Sequence, residues 1–191
     1  MKSVKGTQTE KNLLEAFAGE SMARNRYTFF ASKAKKEGYE QIAAIFTESA
    51  ENEKEHAKRF LSYLEGGEAD IQFILPATLI GDTLQNLMAA ASGENAEHTK
   101  IYPEAAASAE KEGFPEIEAL FKNISSVEKH HEERFLKLLK NIENGSVFKK
   151  SKSIQWKCRN CGFISSGDAA PASCPACLHP TAYFEELSDN F

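Results

Sequence analysis

Residues 53–60 read Glu-Lys-Glu-His-Ala-Lys-Arg-Phe, and residues 128–135 read Glu-Lys-His-His-Glu-Glu-Arg-Phe. Each stretch begins with a glutamate, has a histidine three residues later and ends in an Arg-Phe pair. On an α-helix, a spacing of three residues places two side chains on one face, one turn apart. The two stretches therefore predict two equivalent helices, each presenting a glutamate and a histidine side by side.

The correspondence continues outward from these stretches and predicts a duplicated helical hairpin. Two further patterns repeat: Ala34-x-x-Glu37-Gly38-Tyr39 returns as Ala109-x-x-Glu112-Gly113-Phe114, and Gly19-Glu20 returns as Gly93-Glu94. The early glutamates are 74 residues apart and the later pairs are 75 apart, so the second copy contains one inserted residue. Internal repetition of a hairpin is itself a fold-level signal.

Turn and capping signals predict four helices in the first 147 residues. The first helix is predicted to run from the capping pattern Thr7-x-x-Glu10 to Gly38, the second to Gly66-Gly67, the third from Asp82 to about Gly113, and the fourth from about Pro115 to Gly145. Short turns at Gly38 and Gly113 predict antiparallel pairs, and the segment from Glu65 to Gly81 is long enough to cross the bundle. The predicted fold is mainly α: a ferritin-like four-helix bundle (1–147) with a long crossover between helices two and three, then a small C-terminal β module (148–191).

Charge and hydropathy exclude several classes of protein. The net charge of -5 argues against a nucleic-acid binder, which needs a basic face. The longest apolar run, Ile71 to Ile80, is about half the length that a bilayer requires. No secretory signal follows the early lysines, and the four cysteines cluster between Cys158 and Cys177. These features predict a cytoplasmic protein without a membrane segment.

Ionisable residues interrupt the apolar stripe of every predicted helix near its middle. They are Glu20 on the first helix, Glu53 and His56 on the second, Glu94 on the third, and Glu128 and His131 on the fourth. Burying several carboxylates without a counter-charge costs several kcal/mol each, and a pair of divalent cations would offset this. The alternative is that these residues form solvated faces or ordinary ion pairs. His98 and His130 point away from the stripes and are predicted to be exposed.

One glutamate breaks the symmetry of the repeat. Glu97 has Ala23 as its counterpart, so a fifth glutamate would make one metal site richer in oxygen ligands. We hypothesise that the metal on this side exchanges Glu97 for a histidine on reduction; the alternative is a surface glutamate. Tyr27 and Tyr102 correspond across the repeat and are candidates to hydrogen-bond the ligands or to donate protons; the alternative is that they are ordinary core residues.

Two cysteine pairs form a second candidate metal site. Cys158-x-x-Cys161 and Cys174-x-x-Cys177 are separated by twelve residues, a spacing that predicts a tetrahedral four-thiolate site. Zinc and iron both use such ligands. The spacing alone slightly favours zinc, whereas fusion to a redox-competent bundle favours iron.

Over its whole length the sequence resembles the rubrerythrins. The resemblance is carried by Glu20, Glu53-x-x-His56, Glu94-x-x-Glu97, Glu128-x-x-His131 and the two cysteine pairs, in this order. Leu178 departs from the glycine expected after the second cysteine pair of free-standing rubredoxins. The resemblance implies a di-iron centre in which Glu53 and Glu128 bridge the irons and the other five residues are terminal ligands. It also implies a rubredoxin-like module with one iron bound by four cysteines.

The resemblance further implies a non-haem peroxidase that protects cells from hydrogen peroxide. Electrons would come from NAD(P)H through a rubredoxin or a flavoprotein reductase. The fourth helix separates a chain's module from its own di-iron site by roughly 20 Å, which favours a head-to-tail homodimer or a higher homo-oligomer. The alternatives are a ferroxidase or iron-handling protein, and a zinc-ribbon interaction module without turnover.

Overall fold

The computed structural model describes residues 2–72, 74 and 77–188. Within these residues the chain forms five α-helices, one π-helical turn, one short 3-10 turn and a three-stranded antiparallel sheet. The helical elements are α1 (Gln8–Lys36), α2 (Glu40–Leu61), α3 (Thr83–Ala96), the π turn (Glu97–Ile101), α4 (Tyr102–Lys111) and α5 (Pro115–Glu143). Because α3, the π turn and α4 are continuous, they form the third helix of the bundle. The mainly α, ferritin-like fold is confirmed.

The predicted helix starts agree with the structure, but one predicted end does not. Thr7 caps α1, and Asp82 forms a reciprocal capping box with Gln85 at the start of α3. The second helix was predicted to continue to Gly66-Gly67, yet α2 ends at Leu61. The chain continues there in 3-10-type turns, in which the Leu64 N–H donates to the Leu61 carbonyl three residues back. This turn lets Tyr63 and Leu64 pack against the buried core.

The segment between α2 and α3 is the predicted crossover. Its described residues from Glu65 to Ile80 are exposed, while Phe73, Leu75 and Pro76 of the predicted crossover lie outside the described residues. The segment joins the C-terminal end of one hairpin to the N-terminal end of the next. Among the helices that the structure describes, none is long and apolar enough to cross a bilayer.

The inserted residue of the second copy is accommodated as the π turn. Glu20 and Glu94 are 74 residues apart, whereas Tyr27 and Tyr102 are 75 apart, so the insertion falls between Glu94 and Tyr102. Here the Tyr102 N–H donates to the Glu97 carbonyl, five residues back. A π turn uses one residue more than the α-helical hydrogen bond, so it absorbs the insertion without breaking the helix.

The two hairpins cap each other's helices. Glu37, which follows α1, accepts hydrogen bonds from the backbone N–H and the hydroxyl of Thr83 at 2.8 and 2.6 Å. Glu112, which follows α4, accepts the same two bonds from Thr9 at 2.8 and 2.6 Å. Each glutamate therefore closes the first turn of a helix in the other hairpin, where unpaired N–H groups would otherwise remain.

Removing either reciprocal cap is expected to destabilise the bundle. Glu112→Ala and Glu37→Ala should each lower the free energy of unfolding by about 1 kcal/mol, because a first-turn N–H loses its acceptor. Urea unfolding of the metal-free protein, followed by circular dichroism, measures this. Glu110→Ala, at an exposed position of α4, is the matched control. An effect of Glu110→Ala as large as that of Glu112→Ala would contradict the capping role.

Two aromatic clusters fill the bundle and leave its middle for polar groups. In one cluster the rings of Phe46 and Phe135 lie 5.2 Å apart between their centroids. In the other the rings of Phe60 and Phe121 lie 5.0 Å apart. Each pair joins a phenylalanine of α2 to one of α5, and all four rings are fully buried. The clusters fix α2 and α5, the two helices with Glu-x-x-His pairs, against each other.

The C-terminal module is a small sheet with the strand order β2-β1-β3. Its strands are β1 (Lys149–Cys158), β2 (Ile164–Ala169) and β3 (Phe184–Glu186). Trp156, Cys158, Cys174 and Phe184 form its core. Leu178, which stands where a glycine was expected, adopts the left-handed conformation with φ of 62°, and this conformation costs a residue with a side chain about 1 kcal/mol. Phe148 stacks on Tyr39 with centroids 6.1 Å apart, which rests the module against the α1–α2 turn.

Candidate metal centre

Six ionisable side chains meet at the middle of the bundle. The structure groups them into two overlapping sets whose ligand-type atoms lie within 4.8 Å of one another: Glu20, Glu53, His56 and Glu128, and Glu53, Glu94, Glu128 and His131. Glu53 and Glu128 belong to both sets. The four carboxylates and His131 are at most 1% exposed. Each set can therefore hold one cation, with two carboxylates shared between them.

The two shared carboxylates each present one oxygen to each histidine. His56 Nδ1 lies 2.9 Å from Glu53 Oε2 and 2.9 Å from Glu128 Oε1. His131 Nδ1 lies 3.2 Å from Glu53 Oε1 and 2.9 Å from Glu128 Oε2. Two ligands at right angles, each about 2.1 Å from a metal ion, lie about 3.0 Å apart. These separations are the ones expected for ligands of a common ion.

The orientation of the same atoms supports this interpretation. Both histidine Nδ1 atoms, both oxygens of Glu53 and Glu128, and one oxygen each of Glu20 and Glu94 form no hydrogen bond to any part of the chain that the structure describes. Buried polar atoms in native proteins are otherwise nearly always paired. Orphaned atoms directed at two common points fit a pair of metal ions, and the donor set of glutamates and histidines fits iron.

Without a bound cation, burial and mutual repulsion make it unfavourable for so many carboxylates to be ionised together. Burial raises the pKa of Glu20 and Glu94 well above the usual range, and neighbouring glutamates raise it further. Burial by itself lowers the pKa of His56 and His131, but the close carboxylates of Glu128 and Glu53 outweigh burial and raise these pKa values to about 10 and about 9. Without metal, protons on these groups therefore supply the counter-charge.

The metal-free bundle is expected to lose stability as pH rises. The histidines hold their protons more tightly in the folded state, so their contribution is complete below about pH 6.5 and is lost through about 9 to 10. The pKa of Glu97 is raised to about 8 by burial and by Glu128 and Glu53. Because the unfolded carboxyl loses its proton at a lower pH than the folded one, Glu97 also makes the folded state less stable as pH rises. Urea unfolding with a chelator at about pH 6 and about pH 9 tests this. Bound metal should reverse the trend, because its ligands must be deprotonated; a metal-free protein that is more stable at the higher pH would contradict the prediction.

Glu97 lies beside this cluster but in neither ligand set. Its side chain is half-buried and borders a groove of about 640 Å³ between α1 and the third helix. Gly19 and Gly93 also line this groove, and a Cβ added to either would meet nothing within 4 Å. Glu97 is thus the acidic side chain placed between the buried cluster and an open groove.

The two tyrosines bond to the cluster across the hairpins. The Tyr27 hydroxyl on α1 donates to Oε1 of Glu94 on α3 at 2.5 Å, and the Tyr102 hydroxyl on α4 donates to Oε1 of Glu20 on α1. Burial and the nearby carboxylates raise the pKa of both tyrosines well above the usual range, so both hydroxyls stay protonated. Each hairpin thereby supplies a donor to a carboxylate of the other.

Two residues near the cluster differ from expectation. His98 was predicted to be exposed, but its side chain is 14% exposed and its Nε2 lies 2.6 Å from Glu132 Oε2, because the π turn directs it toward α5. His130 is exposed, as predicted. Asn52 was not anticipated, yet its Oδ1 lies 3.3 Å from His131 Nε2. Its counterpart in the repeat is Val127, so the duplication gave no signal for it.

The four cysteines meet in the module at metal-binding distances. The Sγ atoms of Cys158 and Cys177 lie 3.7 Å apart, and those of Cys161 and Cys174 lie 3.6 Å apart. A tetrahedron of sulfurs about 2.3 Å from a central ion has edges of about 3.75 Å, whereas a disulfide would need about 2.05 Å. The backbone N–H of His179 lowers the pKa of the Cys177 thiol to about 6. The distances between the four sulfurs therefore fit one tetrahedral metal ion.

Comparison with known proteins connects the two sites. Residues 11–139 match the family model described as rubrerythrin, and residues 156–185 match the rubredoxin-like domain of rubrerythrin. The chain is 60% identical to a rubrerythrin of Porphyromonas gingivalis over 190 residues, covering 100% of this chain and 95% of that protein. It is 51% identical to a rubrerythrin of Nitratidesulfovibrio vulgaris over 191 residues, covering both chains fully (100% each).

Solved structures agree with this assignment. Nigerythrin in its mixed-valence and fully reduced, all-ferrous states shares 28% identity with the chain at a TM-score of 0.64, covering 97% of this chain and 92% of that one. The rubredoxin-like match and the carboxylate–histidine geometry support iron at both sites. The chain belongs to the rubrerythrin family.

Proposed function

We propose that this chain is a non-haem di-iron peroxidase that reduces hydrogen peroxide to water with electrons relayed through its four-cysteine iron. Rubrerythrins are oxidoreductases associated with peroxide reduction under oxidative stress. For this chain we propose an NADH-peroxidase type of activity. A rubredoxin or a flavoprotein reductase in the cytoplasm, itself reduced by NAD(P)H, would be the electron donor.

The observation that carries the proposal is the presence of two different metal sites in one chain. A four-cysteine iron exchanges one electron at a time, and hydrogen bonds to the sulfurs of such a site tune its reduction potential. When bound, the two irons of the bundle supply the two electrons that, with two protons, convert one hydrogen peroxide into two waters. An iron-storage role would leave the cysteine module without a use.

We propose specific roles for the residues of the bundle. Glu53 and Glu128 would each be shared by both irons, a role supported by the oxygen that each presents to each histidine. The remaining residues are terminal ligands: Glu20 and His56 on one side, Glu94 and His131 on the other, and Glu97 as an additional ligand. The module's iron is held by Cys158, Cys161, Cys174 and Cys177.

Proton delivery falls to the groups that hold a proton beside the centre. The Tyr27 and Tyr102 hydroxyls are buried donors directed at Glu94 and Glu20. Glu97 is the half-buried carboxyl that borders the groove, so it lies between the groove and the centre. We propose that Glu97 passes protons between the groove and the centre and that the tyrosines orient the terminal carboxylates.

Parallel stopped-flow oxidation tests the proposed reaction. The fully reduced protein is mixed with peroxide and, separately, with dioxygen, and the absorbance of the oxidised irons is followed. Oxidation should be much faster with peroxide and should consume one peroxide for every two electrons. Faster oxidation by dioxygen would move the assignment to a ferroxidase or oxidase, the alternative that shares this bundle.

We also propose a head-to-tail homodimer in which one chain's module serves the other chain's bundle. His131 precedes the end of α5 by twelve residues, or about 18 Å of helix, before the module begins. A module displaced that far along the bundle is better placed to reach a second copy. Analytical ultracentrifugation combined with turnover at increasing dilution tests this proposal. A fully active monomer would exclude it.

A further inference from the structure

A side chain outside the ligand sets connects α5 to both sides of Glu97. Glu132 on α5 uses one carboxylate oxygen, Oε1, to accept a hydrogen bond from Asn95 Nδ2 at 2.9 Å. Its other oxygen, Oε2, lies 2.6 Å from His98 Nε2. Asn95 and His98 flank Glu97 in the third helix. The two bonds therefore hold the chain on both sides of Glu97.

A third bond from α5 reaches the backbone of the π turn. The Ser125 hydroxyl donates to the carbonyl oxygen of His98 at 3.2 Å. A π turn has weaker internal hydrogen bonding than an α-helix, so its carbonyls benefit from partners outside the helix. Ser125 and Glu132 lie two turns apart on α5 and contact the π turn at successive levels.

The duplication provides an internal comparison for these two residues. At the repeat offset of 75, Ser125 corresponds to Ala50 and Glu132 corresponds to Ala57 of α2, and both alanines are buried. The first hairpin has α1 without an insertion at this level and has no polar group at either position. The hairpin that contains the π turn has both. The polar pair thus occurs in the same copy as the inserted residue that it contacts.

We propose that Glu132, assisted by Ser125, is a positioning residue that clamps the π turn and sets the place of Glu97 relative to the metal centre. A metal ligand must be held within a fraction of an ångström, and residues behind it commonly do this. Because α5 also carries Glu128 and His131, the clamp ties Glu97 to the helix that supplies a shared carboxylate. This inference rests on the proposed role of Glu97 as a ligand.

Hydrogen exchange in the metal-free protein tests the clamp without any turnover. Glu132→Ala should accelerate amide exchange in residues 97–102 and leave the equivalent segment of α1, residues 23–27, unchanged. Glu133→Ala is the matched control, since that neighbouring side chain is 61% exposed and faces Lys129. Glu132→Gln, which keeps an acceptor oxygen, should restore part of the protection. Unchanged exchange in residues 97–102, or equal acceleration in residues 23–27, would overturn the proposal.

Calorimetric titration with Co²⁺ provides the second readout. Glu132→Ala should weaken one of two bound equivalents by about 10- to 100-fold and leave the other unchanged. A second variant, Ser125→Ala, serves if Glu132→Ala does not fold. Its alanine is the residue that the first hairpin already has at this position, so we expect it to fold. Ser126→Ala is its control. If both Co²⁺ ions bind to Glu132→Ala and to Ser125→Ala as tightly as they bind to the parent protein, the clamp is refuted. Neither measurement uses peroxide. A failure of the clamp can therefore be distinguished from a failure of the peroxidase assignment, which only the stopped-flow experiment tests.

Discussion

Glu97→Ala is expected to lower peroxide turnover by about 100-fold while both irons remain bound, the loss typical of removing a positioned proton-transfer group. The six side chains of the two ligand sets stay in place in this variant, so both sites still fill at saturating iron even though one of them loses an additional ligand. Steady-state turnover and iron analysis on the same preparation measure both quantities. Glu97→Gln should remain impaired, because an amide keeps the shape of the side chain but cannot release a proton.

A neighbouring glutamate provides the control for Glu97. Glu104 is exposed on α4 and borders the same groove. Glu104→Ala should keep parental turnover, because the side chain lies outside the carboxylate–histidine cluster. If Glu97→Ala retains both irons and reacts with peroxide as fast as the parent protein, the proposed role of Glu97 is wrong.

Replacing the module's iron with zinc should abolish nearly all NAD(P)H-dependent turnover while the bundle stays reactive. Zinc adopts the same tetrahedral four-sulfur geometry but has no redox chemistry, so the module keeps its fold and loses only electron transfer. Chemically reduced protein should still be oxidised by peroxide in a single turnover at the parental rate. Turnover assays with the complete electron-donor system and stopped-flow measurements separate the two effects.

A cysteine variant tests the same relay in another way. Cys161→Ser alters an exposed ligand and leaves the buried Cys158 and Cys174 of the module core in place. It should reduce donor-linked turnover and again spare single-turnover oxidation of the reduced bundle. Full NAD(P)H-dependent activity in the zinc-substituted protein would show that electrons reach the bundle without the module's iron.

The proximity of the six central side chains could be predicted from the sequence because the physical constraint is severe. Buried carboxylates need a counter-charge, and two Glu-x-x-His pairs in register on otherwise apolar stripes leave few arrangements. The same reasoning predicted the bundle and its hairpins, since the repeat marks corresponding helices. The four-cysteine geometry followed from spacing alone, although the choice of iron needed the family comparison.

Other features could not be predicted because they depend on contacts between helices. The offset of the repeat showed that a residue is inserted, but only the structure shows that the insertion becomes a π turn. That turn rotates His98 toward Glu132, which reverses the expected exposure of His98. Similarly, α2 ends early because Tyr63 and Leu64 pack against the core, and helix propensity contains no information about such packing.

The exchange of contacts between the hairpins has a consequence for how the fold can be assembled. Each hairpin receives a helix cap and a tyrosine hydroxyl from the other, through the pairs Glu37–Thr83, Glu112–Thr9, Tyr27–Glu94 and Tyr102–Glu20. In effect the bundle is a dimer of hairpins joined into one polypeptide by a connector whose described residues are exposed. A cut at the exposed Gly66-Gly67 would divide the two hairpins without removing any residue that makes these contacts. The fold is thus suited to fragment complementation, and its duplication is what an ancestral pair of identical hairpins would leave after gene fusion.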